Sequence, residues 1–156
     1  MLYSQKIQVG LLVCLFFSFQ TPILWASEHP SRKTSNSLNH STGSFVTPSG
    51  NIYCSLVSEN KDSLRCEIRS MLKPLPPQPY SGYCEFDWGA GFLLRQQGKP
   101  EILCISDTIG GSKYELSYEN IWRSSGFKCI SKRTGLICSN PDGHGFFLSR
   151  DKWNIF

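Results

Sequence analysis

The chain is 156 residues long, with 18% charged and 40% hydrophobic side chains, which suits one folded domain and excludes a disordered or fibrous chain. Its formal charge is +4, yet the basic residues are scattered and the densest groups are the pairs Arg32-Lys33 and Lys132-Arg133. A nucleic-acid binder needs a basic stripe or patch, so no nucleic-acid partner is expected.

In chain order, Lys6 is followed by an almost unbroken apolar run from Val9 to Phe19, then by Pro22 and the small pair Ala26-Ser27. Positive flank, short apolar core and small-residue cut site read as a secretory signal peptide over residues 1–26. The run approaches the ~20 residues of a spanning helix only by including Gln20, Thr21 and Pro22, so no stable membrane span is expected after cleavage. The expected location is outside the cytoplasm, in a periplasm or the medium. Residues 27–44 are rich in Ser, Asn and Thr with little to bury, and read as a flexible linker.

From Phe45 onward the pattern is one of short strands between turns, without a long helical period. Strands are expected at 45–47, 52–57, 64–68, 92–95, 101–105, 114–118, 121–123, 127–131, 136–139 and 146–148. Residues 73–80 hold four prolines and must cross the surface as an extended loop. One helical turn is expected after Ser149. The fold class is therefore mainly β, a small antiparallel sandwich or open barrel over residues 45–156.

Cys14 lies in the apolar leader, which leaves six cysteines for the domain and no Cys-x-x-Cys pair. An even count in an exported chain predicts disulfides rather than a zinc or redox site. If Leu136 opposes Ser131, Cys129 falls opposite Cys138, within disulfide reach. The hairpin around Asn60 likewise brings Cys54 to Cys66, and Cys84 remains for Cys104. Fifteen pairings exist for six cysteines, so this set is chosen by register. A faint internal echo links Ser49-Gly50-Asn51-Ile52-Tyr53-Cys54 and Leu64-Arg65-Cys66 to Ser125-Gly126-Phe127-Lys128-Cys129 and Leu136-Ile137-Cys138. It fits either an old duplication or two hairpins converging under like constraints.

Thr47-Pro48-Ser49-Gly50-Asn51-Ile52-x-Cys54, Leu64-Arg65-Cys66-Glu67-Ile68, Cys84-x-x-Asp87-Trp88-Gly89 and Cys104-x-x-Asp107-Thr108 stand in order along the chain. They are followed by Gly126-Phe127-x-Cys129, Gly135-Leu136-x-Cys138-x-Asn140 and Gly143-His144-Gly145-Phe146-x-Leu148-Ser149-Arg150. The series resembles an uncharacterised family of bacterial exported domains with disulfides, over nearly all of residues 45–156. It departs from that pattern at Ser106 and Glu119, where glycine is expected. The resemblance implies compartment and fold, and no activity.

His144, the sole histidine after residue 44, stands between two glycines and could act as acid, base or ligand. The plainer reading is a turn histidine. Asp87 and Asp107 are the carboxylates that could join it from separate loops, and both read more simply as turn residues. No metal-ligand spacing and no nucleophile elbow occur, so neither metal nor cofactor is expected. Tyr80, Tyr83, Tyr114 and Tyr118 lie beside loops and could present a recognition face. Ser112-Lys113-Tyr114, with Trp122 beyond, resembles the Ser-Lys-Tyr loop of exported lysozyme inhibitors. The expected binding residues are thus Tyr114, Trp122, His144 and Arg150. The preferred function is a non-enzymatic binding or structural module, with a protein or glycan of the cell envelope as partner. The alternatives are a small hydrolase centred on His144 with Asp87 or Asp107, and an inhibitor or immunity-type partner of a secreted enzyme.

Overall fold

Short alternating runs between turn residues fold into ten strands in a computed structural model that describes residues 43–79 and 82–156. The segments expected as signal peptide and linker, up to residue 42, and Tyr80 lie outside the described residues. The strands are β1 Ser44–Val46, β2 Ile52–Val57, β3 Ser63–Ile68, β4 Asp87–Arg95, β5 Glu101–Ile105, β6 Ile121–Ser124, β7 Phe127–Lys132, β8 Gly135–Ser139, β9 Gly145–Leu148 and β10 Trp153–Ile155. They make two antiparallel five-stranded meanders, β1–β5 and β6–β10, neither closed into a barrel.

Each sheet turns one face to a shared core, because side chains alternate across a strand. In the first sheet Cys54 faces Phe45 on one side and Cys66 on the other, and Cys66 faces Phe92. In the second, Cys129 faces Trp122 and Cys138, and Cys138 faces Phe146. Leu64 pairs with Leu94 as Leu136 pairs with Leu148. The echo read from two hairpins thus extends across four strands of each sheet. Corresponding aromatics also meet in the core: Phe45 and Trp122 at 5.1 Å between ring centroids, Phe92 and Phe146 at 4.9 Å.

Three disulfides join Cys54–Cys66, Cys84–Cys104 and Cys129–Cys138. The first and third are buried, and the Sγ atoms of Cys54, Cys66 and Cys138 all lie within 4.8 Å of one another, so the two cystines stack between the sheets. The second bond ties the segment just before β4 to β5. Disulfides of this number point to an oxidising compartment. Among the described residues no helix is long and apolar enough to cross a membrane.

Two expected elements are corrected. Residues 114–118 are not a strand: the backbone of this link between the sheets pairs with edge strand β1 through a single parallel bridge of Glu115 to Val46. Its strand-like alternation comes from Leu116, fully buried between half-buried Tyr114 and Tyr118. No helical turn follows Ser149 either. The Ser149 hydroxyl accepts from the Lys152 N–H at 3.2 Å and closes a turn, after which β10 extends so that Trp153 and Ile155 reach the core. β4 also begins earlier than expected, at Asp87, with an irregular register between Trp88 and Phe92.

Candidate functional site

Three places hold the residues singled out above. His144 lies on the β8–β9 turn, whose shape is set by Asn140. The Asn140 side-chain oxygen accepts the His144 N–H at 2.9 Å, and its amide donates to the carbonyls of Arg95 and Gly98. The imidazole is half-exposed, with Nε2 3.8 Å from an Asp142 oxygen that already accepts the Gly98 N–H. Its carboxylate neighbour is therefore Asp142, and neither Asp87 nor Asp107.

Asp87 and Asp107 do come together, in a cavity of about 280 Å³ on the outer side of the first sheet. There Glu67 and Asp107 are held by Arg65. Arg65 holds Glu67 at 2.6 Å and donates to both the carboxylate and the carbonyl of Asp107. Both Glu67 oxygens accept the Ile109 N–H, at 3.1 and 3.2 Å. An almost buried ion pair thus pins the 106–111 loop onto the sheet. Thr108 makes the turn that sequence reasoning gave to Asp107, accepting the Gly110 N–H at 3.0 Å.

In the Ser112-Lys113-Tyr114 loop Lys113 is exposed, while its two neighbours are half-buried. The Ser112 hydroxyl meets the Ser44 hydroxyl at 3.2 Å and accepts the Tyr114 N–H. Tyr114 packs against the core, and burial pushes its phenol pKa above the usual 10.0. Trp122 is corrected as a binding residue: it is 0% exposed, its indole being the largest side chain of the core. Tyr83, in contrast, is 77% exposed beside Cys84.

The third place gathers Arg150 and Tyr118 with residues not singled out for binding. A cleft of about 310 Å³ lies between the β1–β2 turn, the β7–β8 hairpin loop and the turn after β9. Thr47-Pro48-Ser49-Gly50 forms a tight turn, the Gly50 N–H donating to the Thr47 carbonyl at 2.8 Å. Proline at its second position fixes the backbone, and Gly50 takes the left-handed φ of +66°. The Ser49 and Thr47 hydroxyls accept the N–H groups of Asn51 and Ile52. Opposite stand Lys132 and Arg133, and the Ser149–Lys152 turn presents Arg150 and Asp151. The Arg133 guanidinium lies over the Tyr118 ring, 5.0 Å from its centroid. Among the described residues no carboxylate lies within ion-pair distance of Lys132, Arg133 or Arg150. The Lys132-Arg133 pair was visible in the sequence, but its meeting with Arg150 of the same sheet and with the β1–β2 turn of the other was not.

The family model described as a family of unknown function (DUF6636) matches residues 34–156. No curated protein and no solved structure is detectably similar to the chain.

Proposed function

We propose that this chain, which belongs to the family of unknown function DUF6636, is an exported binding domain that recognises an oxyanion-bearing ligand in the cleft around Arg133 and Arg150. One observation carries this reading: three cations meet there without a carboxylate partner of their own. Charges left unpaired in a concave polar site are recognition groups waiting for a counter-charge. Arginine offers a planar fork of donors for a phosphoryl or carboxylate group, and Arg133 is oriented for it by Tyr118. The turns that frame the cleft are hydrogen-bonded within themselves, so little order need be gained on binding. Export is supported by the disulfides and by the leader-like residues 1–26. A phosphorylated or acidic glycan of the cell envelope, or an acidic loop of a secreted protein, would each supply such a group.

Titration with inorganic phosphate and with glucuronate, followed by NMR, tests the reading. Shifts are expected at Ser49, Arg133 and Arg150, and Arg133→Ala with Arg150→Ala should weaken binding by at least about tenfold. Saturable shifts located elsewhere, or unchanged by those substitutions, would remove the cleft from consideration.

A further inference from the structure

The outer face of the second sheet takes no part in the cleft apart from Lys132 at its rim. Alternation turns outward the residues between buried Cys129, Leu136, Cys138 and Phe146. Register then sets Ile121, Ile130, Ile137 and Phe147 in one row across four strands. All four are half-buried, and Phe156 at the margin is 44% exposed. Cations flank this apolar row. Arg123 and Lys128 are register partners on one side, Lys132 lies on the other, and the Lys152 ammonium stands 5.7 Å from the Phe147 ring centroid. No aspartate or glutamate occurs in β6 to β10, whereas Glu67, Asp87 and Glu101 lie in the first sheet. A hollow of about 310 Å³ opens on the same face between Ile130, Ile137 and Phe156, with Lys128 beside it.

We propose that this face docks on an anionic phospholipid surface. Ammonium and guanidinium groups would meet the phosphodiester oxyanions while the apolar row and Phe156 reach the boundary of the acyl chains. Charge decides between occupants. A second copy would oppose cation to cation, and a neutral partner would strip water from these charges without compensation. The hollow, apolar within and cationic at its side, fits an amphiphile with an acyl body and an anionic head. This surface goes beyond the cleft and is tested with different residues.

The experiment is co-sedimentation of the disulfide-intact protein with vesicles of phosphatidylglycerol and phosphatidylcholine in equal parts, against phosphatidylcholine alone. Binding to the anionic vesicles only is expected, weakening between about 50 and 300 mM salt. Arg123→Gln with Lys128→Gln should lower the partition about thirtyfold, since each basic residue near such a surface contributes roughly fivefold. Phe156→Ser should lower it about fivefold. Arg133→Ala with Arg150→Ala should leave most vesicle binding in place while phosphate binding is lost, so the two sites fail separately. Absence of binding to the anionic vesicles, or equal binding to the neutral ones, overturns the proposal. So does competition by soluble polyglutamate that Phe156→Ser leaves unaffected, which would assign the face to an acidic protein.

Discussion

Glu119 sits in left-handed backbone at φ +66°, held there because its N–H donates to the Ser131 carbonyl at 2.7 Å. A side chain in that region costs about 1–2 kcal/mol, part of which glycine returns through its freer unfolded chain. Glu119→Gly is therefore expected to raise the melting temperature by a few degrees, as calorimetry would show. The opposite holds at Gly91, where an added Cβ would lie 2.0 Å from the Cys66 carbonyl oxygen; Gly145 repeats this at 2.1 Å from Cys138. Backbone cannot yield as a side chain can, so Gly91→Ala should cost more than about 3 kcal/mol in urea unfolding. Asp62 adds a pH dependence. Hydrogen bonds from the Ser58 and Ser63 hydroxyls hold its carboxyl below the usual 3.8. The stability it contributes is complete above that usual value and is lost as pH falls through the lower folded one. Asp62→Asn should flatten that part of the acid limb in thermal melts. Single residues were only partly readable in advance. Glycine was expected at 119, and the left-handed backbone shows why. Trp122, by contrast, carries no local mark that separates an aromatic of the core from one of a surface.

At the level of elements, the peripheral disulfide does different work from the two in the core. Cys84–Cys104 ties a loop that carries exposed Tyr83 and Phe86 to β5, whereas Cys54–Cys66 lies in the core. Replacing Cys84 and Cys104 by serine should cost about 2–4 kcal/mol and speed chymotryptic cleavage after Tyr83 or Phe86, with the paired strands still protected. Replacing Cys54 and Cys66 by alanine should cost more, because a gap then opens between the stacked cystines. Strands were readable where alternation and turn residues coincide, as at Ile52–Val57 and Glu101–Ile105. They were not readable where alternation has another cause. Tyr114 to Tyr118 alternates because Leu116 plugs the core from a crossing link. β4 hid its first residues behind Trp88 and Gly89, whose irregular pairing breaks the period.

For the whole molecule, the shared core means that neither sheet can bury its inner face without the other. Urea unfolding followed by tryptophan fluorescence and by far-ultraviolet dichroism should give coincident single transitions. A resolved second transition would show the sheets to be separable. The strand expected at 114–118 is a crossing link. Fold class follows from spacing that any reader of the sequence can inspect, but β10 does not. The cleft does not, since Ser49, Arg133 and Arg150 lie far apart in the chain and meet only through tertiary packing. One consequence of the bonding pattern concerns synthesis. From Cys54 onward each cysteine is joined to its immediate neighbour along the chain: first to second, third to fourth, fifth to sixth. An oxidase meeting the polypeptide from its N-terminus, and joining thiols in order of emergence, would arrive at the native set without an isomerase to correct it.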